Sequence, residues 1–208
     1  MTLLESVRSE TLREGSIPVL ETKRLKMRAP RHGDVKAVAT LANDRRIAEN
    51  TARIPHPYGA DDAEQWIASV NAQSNVHAND HAGETAFLIT LNDGTLIGAC
   101  GFGLLREGAP EIGYWLGSAY WGQGYATEAV HAVIDYAFDD CGHDALQAGA
   151  RVTNPASRRV LEKCGFQWTG VGLYRIRALN SSAPIDRFRL DRGLWSSLKA
   201  WGMARRVV

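Results

Sequence analysis

A glycine-containing run in the middle of the chain has the residue types of an anion-binding loop. Residues 117–129 read GSAYWGQGYATEA, follow a short apolar segment, and open the best amphipathic helix of the sequence. Glycines at a strand-to-helix junction let the backbone approach a bulky anion, and the first N–H groups of the helix then point at that anion. The helix dipole favours the same charge. Gly122 and Gly124 therefore predict a pyrophosphate site, and hence a nucleotide-like cofactor.

The glycine pair alone does not identify the cofactor. A dinucleotide fingerprint would need a third glycine at position 127, where Thr127 stands, so a nicotinamide cofactor is a distant alternative. The phosphate loop of ATP- and GTP-binding proteins would need a GK[ST] ending, which the chain lacks. A glycine turn that binds no ligand is the structural alternative.

A second helix start follows further along the chain. Residues 154–166 read NPASRRVLEKCGF and come directly after a predicted strand. Asn154 suits an N-cap and Pro155 the first helical position, whereas Gly165 suits a left-handed helix end. The run predicts a short helix that begins, like the first one, where a strand ends.

The elements that must position these two helix starts predict a mixed sheet. Asp93-Gly94 is a tight-turn signal between two strand-like runs, and a second reversal over 107–110 continues the meander. Strands are predicted over 24–28, 85–91, 95–104, 111–116, 146–152, 166–175 and 185–194. Helices are predicted from about 33, from 61, from 125 to about 141, and over 155–164. This order predicts an α/β fold with one mixed, largely antiparallel twisted sheet.

Length and charge narrow the class of protein. The chain has 208 residues, enough for one substantial core, and 24 basic against 23 acidic residues give a net charge of +1. This balance predicts no whole-molecule attraction to nucleic acid or to an anionic membrane. The chain has no long apolar span, which also argues against a membrane protein.

The three cysteines indicate a redox compartment. Cys100, Cys141 and Cys164 are odd in number, widely spaced and without a CxxC pair. Such a pattern favours reduced thiols in a cytoplasmic protein over a disulfide framework or a metal site.

Together, residues 122–129 and 154–166 resemble the two central motifs of the GNAT acetyltransferase superfamily. More narrowly, the chain resembles the branch that includes the bacterial ribosomal-protein N-terminal acetyltransferases. Leu25 with Arg28, Pro57 with Tyr58 before Trp66, and the run EIGYWL at 111–116 match the same pattern. The resemblance spans 20–195. It implies a GNAT domain there with splayed central strands and flanking helices, an N-terminal tail at 1–19, and a tail or docking helix at 196–208.

The resemblance implies acetyl-CoA as the co-substrate. The strand end formed by Trp115, Leu116 and Gly117 would bind the pantetheine arm through exposed backbone groups, in the manner of an added strand. The backbone amides of the glycine loop would hold the pyrophosphate; this set is Gly122, Gln123, Gly124, Tyr125, Ala126 and Thr127. Asn154 matches a position that contacts the arm, although capping its own helix is an equally good role. Trp121 stands where the superfamily usually has glutamine or arginine.

The catalytic residues are less complete in this chain. Some relatives carry a glutamate five residues before the asparagine and a tyrosine seven residues after it, but here these positions are Gly149 and Leu161. The branch resemblance implies that Ser157 protonates the cofactor sulfur; hydrogen bonding within the first helical turn is its structural alternative. Since Thr169 replaces the glutamate of that branch, Glu111 remains as the candidate base, with a solvated surface acid as its alternative.

We therefore predict an N-acetyltransferase that moves acetyl from acetyl-CoA to a primary amine by direct attack. The branch favours a protein N-terminal amine, of which about a tenth is neutral at pH 7 and which therefore needs little help from a base. A small-molecule amine acetyltransferase and a non-catalytic acyl-CoA-binding or sensing module are the alternatives. The loop with His56 and Tyr58 and the hairpin at 174–177 should form the acceptor pocket. The C-terminal segment with Trp201 could contact a second copy in a homodimer.

Overall fold

The strands of the chain join into one eight-stranded sheet in the order β1-β2-β3-β4-β5-β6-β8-β7. The computed structural model describes residues 17–76, 84–103 and 108–204. The strands are β1 (Leu20–Glu21), β2 (Leu25–Arg28), β3 (Thr85–Leu91), β4 (Leu96–Gly103), β5 (Glu111–Leu116), β6 (Ala145–Arg151), β7 (Gln167–Ile176) and β8 (Ser181–Asp191). The helices are α1 (Val35–Ala42), α2 (Arg45–Ala48), α3 (Ala60–Val76), α4 (Tyr125–Asp139), α5 (Pro155–Lys163) and α6 (Arg192–Ala204).

The sheet opens between its two central strands. Every recorded strand pair is antiparallel except β5 with β6, which is parallel. That parallel pair has only two registered positions, Glu111 with Gln147 and Ile112 with Ala148. Beyond Ile112 the two strands diverge, which leaves a gap beside residues 113–116. The splayed, largely antiparallel sheet predicted from the resemblance is confirmed.

Helices cover both faces of the sheet. The inner face of α4 packs in the main core through buried side chains at helical spacing, among them Val130, Val133, Ile134 and Phe138. On the opposite face, α1 and α3 pack against β3 and β4 around Val38, Ala63 and Leu88. Since both of its faces are covered, β3 is buried from Ala86 to Thr90. This explains its nearly continuous apolar sequence.

The last predicted strand differs from the structure at both of its ends. It was expected over 185–194, whereas β8 begins at Ser181 and α6 starts already at Arg192. The backbone N–H of Arg192 donates to the Asp144 carbonyl, and Trp195 stacks on Phe138 with ring centroids 4.9 Å apart. These long-range contacts turn the segment into a helix, although the strand alternation suggested that the strand would continue.

Parts of four expectations lie outside the described residues, among them the end of the tail or docking helix at 196–208, which is described only to residue 204. The tail at 1–19 is described only from residue 17, and the segment 104–107, with the end of the predicted strand 95–104 and the start of the second reversal, is not described. Within the described ranges, every helix is too short or too polar to cross a bilayer.

Candidate active site

The glycine loop presents unpaired backbone donors at the start of α4. Gly122 and Gly124 have φ of 74° and 83°, a left-handed conformation that glycine adopts without strain, and Gly124 is the N-cap of this 15-residue helix. Among the described residues, no acceptor is recorded for the N–H groups from Gly122 to Thr127. These donors lie at the positive end of a helix, so the loop has the electrostatics that bind a pyrophosphate.

Arg24 on the segment before β2 holds the loop in this shape. Its Nε donates to the Glu128 carboxylate at 2.6 Å, and its Nη1 donates to the Gln123 carbonyl at 2.9 Å. Burial would raise the pKa of Glu128, but hydrogen bonds from Thr22 and Arg24 outweigh burial and hold this pKa below its usual value. The acid in the first turn of α4 is therefore paired, and its charge opposes a bound anion less than a free carboxylate would.

The free edge of β5 borders the gap in the sheet. The N–H of Gly117 donates to the carbonyl of Ile97, near the start of β4, at 2.8 Å. Because backbone groups alternate in direction along a strand, those of Trp115 also face β4, whereas those of Tyr114 and Leu116 face the gap. Trp121 donates its indole N–H to the Leu116 carbonyl at 2.8 Å. The side chain that replaces the usual glutamine or arginine thus fixes the end of the gap-facing strand.

Tyr114 and Ser157 connect the two sides of the gap. The Tyr114 hydroxyl lies 2.9 Å from Ser157 Oγ and donates to the Ser157 carbonyl at 3.1 Å. The Ser157 N–H donates to Asn154 Oδ1 at 3.1 Å, so Asn154 caps α5 as predicted. Sequence reasoning missed Tyr114. The signal was its alternation with apolar Ile112 and Leu116, since a hydroxyl in a core-facing row needs a hydrogen-bond partner.

Tyr114 is kept protonated. Burial raises the pKa of the Tyr114 phenol well above its ordinary value, and the hydrogen bond with Ser157 opposes this only in part. A phenol and an aliphatic hydroxyl in contact can donate to a developing anion or pass a proton between them. The pair can therefore act as an acid, but Tyr114 does not act as a base.

Glu111 points to the other face of the same strand. The position that a side chain would occupy at Gly149 is 3.3 Å from Glu111 Oε1 and 3.0 Å from Ile185. The carboxylate thus lies over Gly149, the position at which some relatives carry their glutamate. Burial raises the pKa of Glu111, and the charge of Arg53 opposes the shift. Among the described residues, no hydrogen bond or ion pair is recorded for this carboxylate.

A cleft of about 290 Å³ opens beside Glu111 on this face. It is lined by Glu111, Gln147, Ala148, Thr169, Tyr174, Arg187, Phe188 and Arg189. A larger cavity of about 700 Å³ lies between β1 and α4 and carries Glu21, Glu128, Asp135, Asp139 and Asp140. This acidic lining suits neither a pyrophosphate nor the predicted chemistry, so the smaller cleft is the better candidate.

The family of the chain follows from comparison with known proteins. A model of the acetyltransferase (GNAT) domain matches residues 24–167. The chain belongs to the GNAT acetyltransferase family. It is also 30% identical over 160 residues to the uncharacterized N-acetyltransferase YoaA of Bacillus subtilis, which covers 74% of this chain and 85% of the relative. The GNAT family predicted from the two motifs is confirmed.

Solved GNAT structures share the fold. A structure of RimL, described as a ribosomal L7/L12 alpha-N-protein acetyltransferase in complex with coenzyme A, has a TM-score of 0.72 and 17% identity, covering 84% of this chain and 98% of that one. RimJ from Mycobacterium smegmatis, in complex with CoA-disulfide, has a TM-score of 0.71 and 21% identity, covering 86% and 89%. Some curated relatives match over shorter segments, so that the chain spans about half of their length, 44% of one and 51% of another.

The GNAT fold brings together the two elements predicted for the acceptor pocket. The Arg177 N–H, at the tip of the β7–β8 hairpin, donates to the Ala52 carbonyl in the loop before α3. His56 in this loop is exposed, but Tyr58 is buried in the second core, where burial raises its pKa to about 12. Tyr58 therefore packs the helices. Leu161, at the tyrosine position of some relatives, is fully buried in the main core.

Proposed function

We propose that this protein is an N-acetyltransferase that moves an acetyl group from acetyl-CoA to a primary amine by direct attack. One observation carries the proposal: the gap in the sheet lies between unpaired helix donors at Gly122 to Thr127 and the Tyr114–Ser157 pair, with Glu111 on the opposite face. An anion site, a strand edge and two proton-handling groups are the parts that acyl transfer from a CoA thioester requires.

In this proposal the cofactor is held mainly by backbone groups. The amides of the glycine loop bind the pyrophosphate, and the edge of β5 at Leu116, with its neighbours Trp115 and Gly117, binds the pantetheine arm. Within this set the Leu116 N–H is favoured, because the Gly117 N–H already donates to Ile97 and the Leu116 carbonyl already accepts from Trp121. Asn154 uses its oxygen to cap α5, which leaves its amide nitrogen for the arm.

Two protons must move during the reaction. The amine forms a C–N bond to the acetyl carbon and loses a proton, while the C–S bond breaks and the departing thiolate gains one. Glu111 accepts the first proton, directly or through one water. Burial raises the pKa of Glu111 and so makes this carboxylate a stronger base towards the amine. Ser157 donates the second, and the contact with Tyr114 allows the phenol proton to restore the serine hydroxyl.

The acceptor in this proposal is the N-terminal amine of a protein or peptide. Its support is the branch resemblance together with the fold likeness to RimL, which is described as a ribosomal L7/L12 alpha-N-protein acetyltransferase. The open cleft beside Glu111 is compatible with a chain end. We also propose a cytoplasmic location. A homodimer contact through α6 is proposed as well, because Trp201 on this helix is 63% exposed.

Release of CoA from acetyl-CoA in the presence of peptides and small amines tests the function. Turnover of peptides is the expected result, and turnover of small amines alone would move the acceptor to the small-molecule class. Tight acetyl-CoA binding without turnover of any amine would make the protein a non-catalytic acyl-CoA sensor. A calorimetric titration of acetyl-CoA into the protein that shows no heat of binding would overturn acetyl-CoA as the co-substrate.

A matched pair of glycine variants tests the pyrophosphate site. Gly122 and Gly142 have φ of 74° and 73°, and a methyl group at either would meet nothing within 4 Å. We expect Gly122→Ala and Gly142→Ala each to lower the free energy of unfolding by about 1 kcal/mol. Only Gly122→Ala should weaken acetyl-CoA binding, by about tenfold or roughly 1.4 kcal/mol, because its methyl group obstructs the approach to the amides. Equal Kd values for the two variants in calorimetry would contradict the site.

A further inference from the structure

The cleft beside Glu111 carries an arginine that has no acidic partner. Arg187 and Arg189 both lie on the cleft face of β8. Arg189 is paired with Asp191 at 2.6 Å. Arg187 makes only a long contact, 3.4 Å, to the Val171 carbonyl, and among the described residues no carboxylate lies within ion-pair distance of it. Its positive charge is therefore free to bind an anion.

Gly172 leaves room for the Arg187 side chain to lie against the sheet. The position that a side chain would occupy at Gly172 on β7 is 3.3 Å from Arg187 Nε and 3.6 Å from its Cζ. On the opposite side of β8 from Gly172, Gly149 on β6 is registered with Arg187. Gly149 also lies beneath the Glu111 carboxylate. The floor between Glu111 and Arg187 thus lacks side chains at these two positions. A ligand can therefore reach both charged groups.

Tyr174 extends the same floor. Its ring is 4.0 Å from the side-chain position above Gly149, so it lies next to Glu111. Burial and Glu111 raise the pKa of the Tyr174 phenol, and the charge of Arg187 opposes the rise. The carboxylate, phenol and guanidinium therefore belong to one cleft. A ligand with an amine at one end and an anion at the other would meet complementary groups at both.

The register sets the distance between the two charged groups. On β8, Arg187 is registered with Gly149 of β6, and Ile185 is registered with Gly172 of β7. The two glycines therefore lie two strands and two residues apart. With about 4.8 Å between strands and about 3.3 Å per residue, the groups above them are roughly 12 Å apart. After hydrogen-bond distances at both ends are subtracted, roughly 6 Å separates the amine nitrogen from the bound anion. This is one to two residues of an extended peptide.

We propose that Arg187 is a specificity residue that binds a carboxylate of the acceptor, and that the preferred acceptor is a peptide N-terminus with an aspartate or glutamate at its second or third position. The inference rests on the proposed acetyltransferase function. A free α-amino acid fits less well, because its own carboxylate lies only about 3 Å from its amine. Arg187 acts on binding, while Glu111 and Ser157 act on proton transfer.

Matched peptides test the inference in the wild-type protein. The peptides share an alanine N-terminus and an amidated C-terminus, and differ only by Asp or Asn at the second or third position. We expect the Asp peptide of the preferred register to have a kcat/KM about tenfold higher than that of its Asn partner, mainly through a lower KM. Free alanine, tested beside its amide, should gain nothing from its carboxylate.

Variants then assign the preference to one side chain. Arg187→Met should remove the Asp-over-Asn preference, and Arg187→Lys should keep part of it. Arg189→Met is the matched control on the same strand face and should retain the preference, because Asp191 already pairs with Arg189. Arg187 is exposed, so unchanged thermal unfolding should accompany these changes.

The outcomes separate this inference from the function on which it rests. Peptide turnover without Asp-over-Asn discrimination, or discrimination lost equally in Arg189→Met, would overturn the role of Arg187 and leave the acetyltransferase proposal standing. Absence of turnover with every peptide and small amine would overturn both.

Discussion

Replacing Glu111 with glutamine should lower kcat/KM about a hundredfold, the lower end of what a positioned general base contributes. The amide keeps the shape of the side chain over Gly149 but cannot accept a proton. Steady-state kinetics with a peptide acceptor measure the effect. Glu21→Gln is the control, because Glu21 is an exposed acid on β1 that contacts Lys26 at 2.9 Å, and its kinetics should be unchanged.

The pH dependence gives Glu111→Gln a signature that a packing defect would lack. In the wild type both the base and the amine must be deprotonated, so log kcat/KM should rise with slope two at low pH and with slope one between the pKa of Glu111 and that of the amine. Burial raises that pKa, so the change of slope should lie above the ordinary value of 4.5. The variant should show slope one at every pH below the pKa of the amine. Slope two in the variant would exclude Glu111 as the base.

Stability provides an independent check on Glu111. Because folding raises the pKa of this carboxyl, the fold binds its proton more tightly than the unfolded chain does. The contribution to the free energy of unfolding is therefore present below the unfolded pKa and is lost as pH rises through the folded one. Glu111→Gln removes this dependence, so the variant should be no less stable than the wild type at neutral pH.

Replacing Ser157 with alanine should lower kcat about a hundredfold if its hydroxyl protonates the thiolate. The substitution removes Oγ but keeps the backbone N–H that Asn154 accepts, so the cap of α5 survives. Ser197→Ala is the control, since the Ser197 hydroxyl on α6 donates to the Gly193 carbonyl of its own helix. A kcat within about twofold of the wild type would assign Ser157 a purely structural role.

A double-mutant cycle with Tyr114 measures how the two hydroxyls cooperate. Tyr114→Phe should lower kcat about tenfold, and the double variant should resemble Ser157→Ala alone, because Tyr114 acts through the serine. Tyr136→Phe controls for the loss of a half-buried phenol, since Tyr136, like Tyr114, is partly buried and packs against the same core. Strictly additive losses would mean that Tyr114 and Ser157 act independently.

Local sequence signals were sufficient to predict those helix starts, caps and turns that depend on residues within the element itself. Gly124 begins α4 and Asn154 caps α5, because left-handed glycines and asparagine caps are determined within a few residues of sequence. The hairpin at Asp93-Gly94 and the buried stripe of α4 were predicted for the same reason. The order of these elements predicted a mixed α/β sheet, and the resemblance of the two motifs to the GNAT superfamily implied the splayed strands.

The error at the C-terminus shows where local signals fail. The alternation that defines β8 suggested a strand to residue 194, but Asp144 and Phe138, far away in the sequence, bind Arg192 and Trp195 and start α6 early. The spacing of apolar residues within a segment does not show which distant surface that segment will pack against. The docking surface exists only after β6 and α4 are in place.

The amino-acid sequence alone predicted the family, the fold class and the two helix starts, since the motifs, turns and caps behind these predictions each consist of residues close together in the chain. The tertiary structure decided which distant side chains meet: Tyr114 with Ser157 across the gap, Glu111 over Gly149, and Arg187 over Gly172. Strand register determines these meetings, and a shift of one residue would turn every such side chain to the other face. Register arises from packing the whole sheet, so proton transfer and acceptor choice can be argued only from the folded chain.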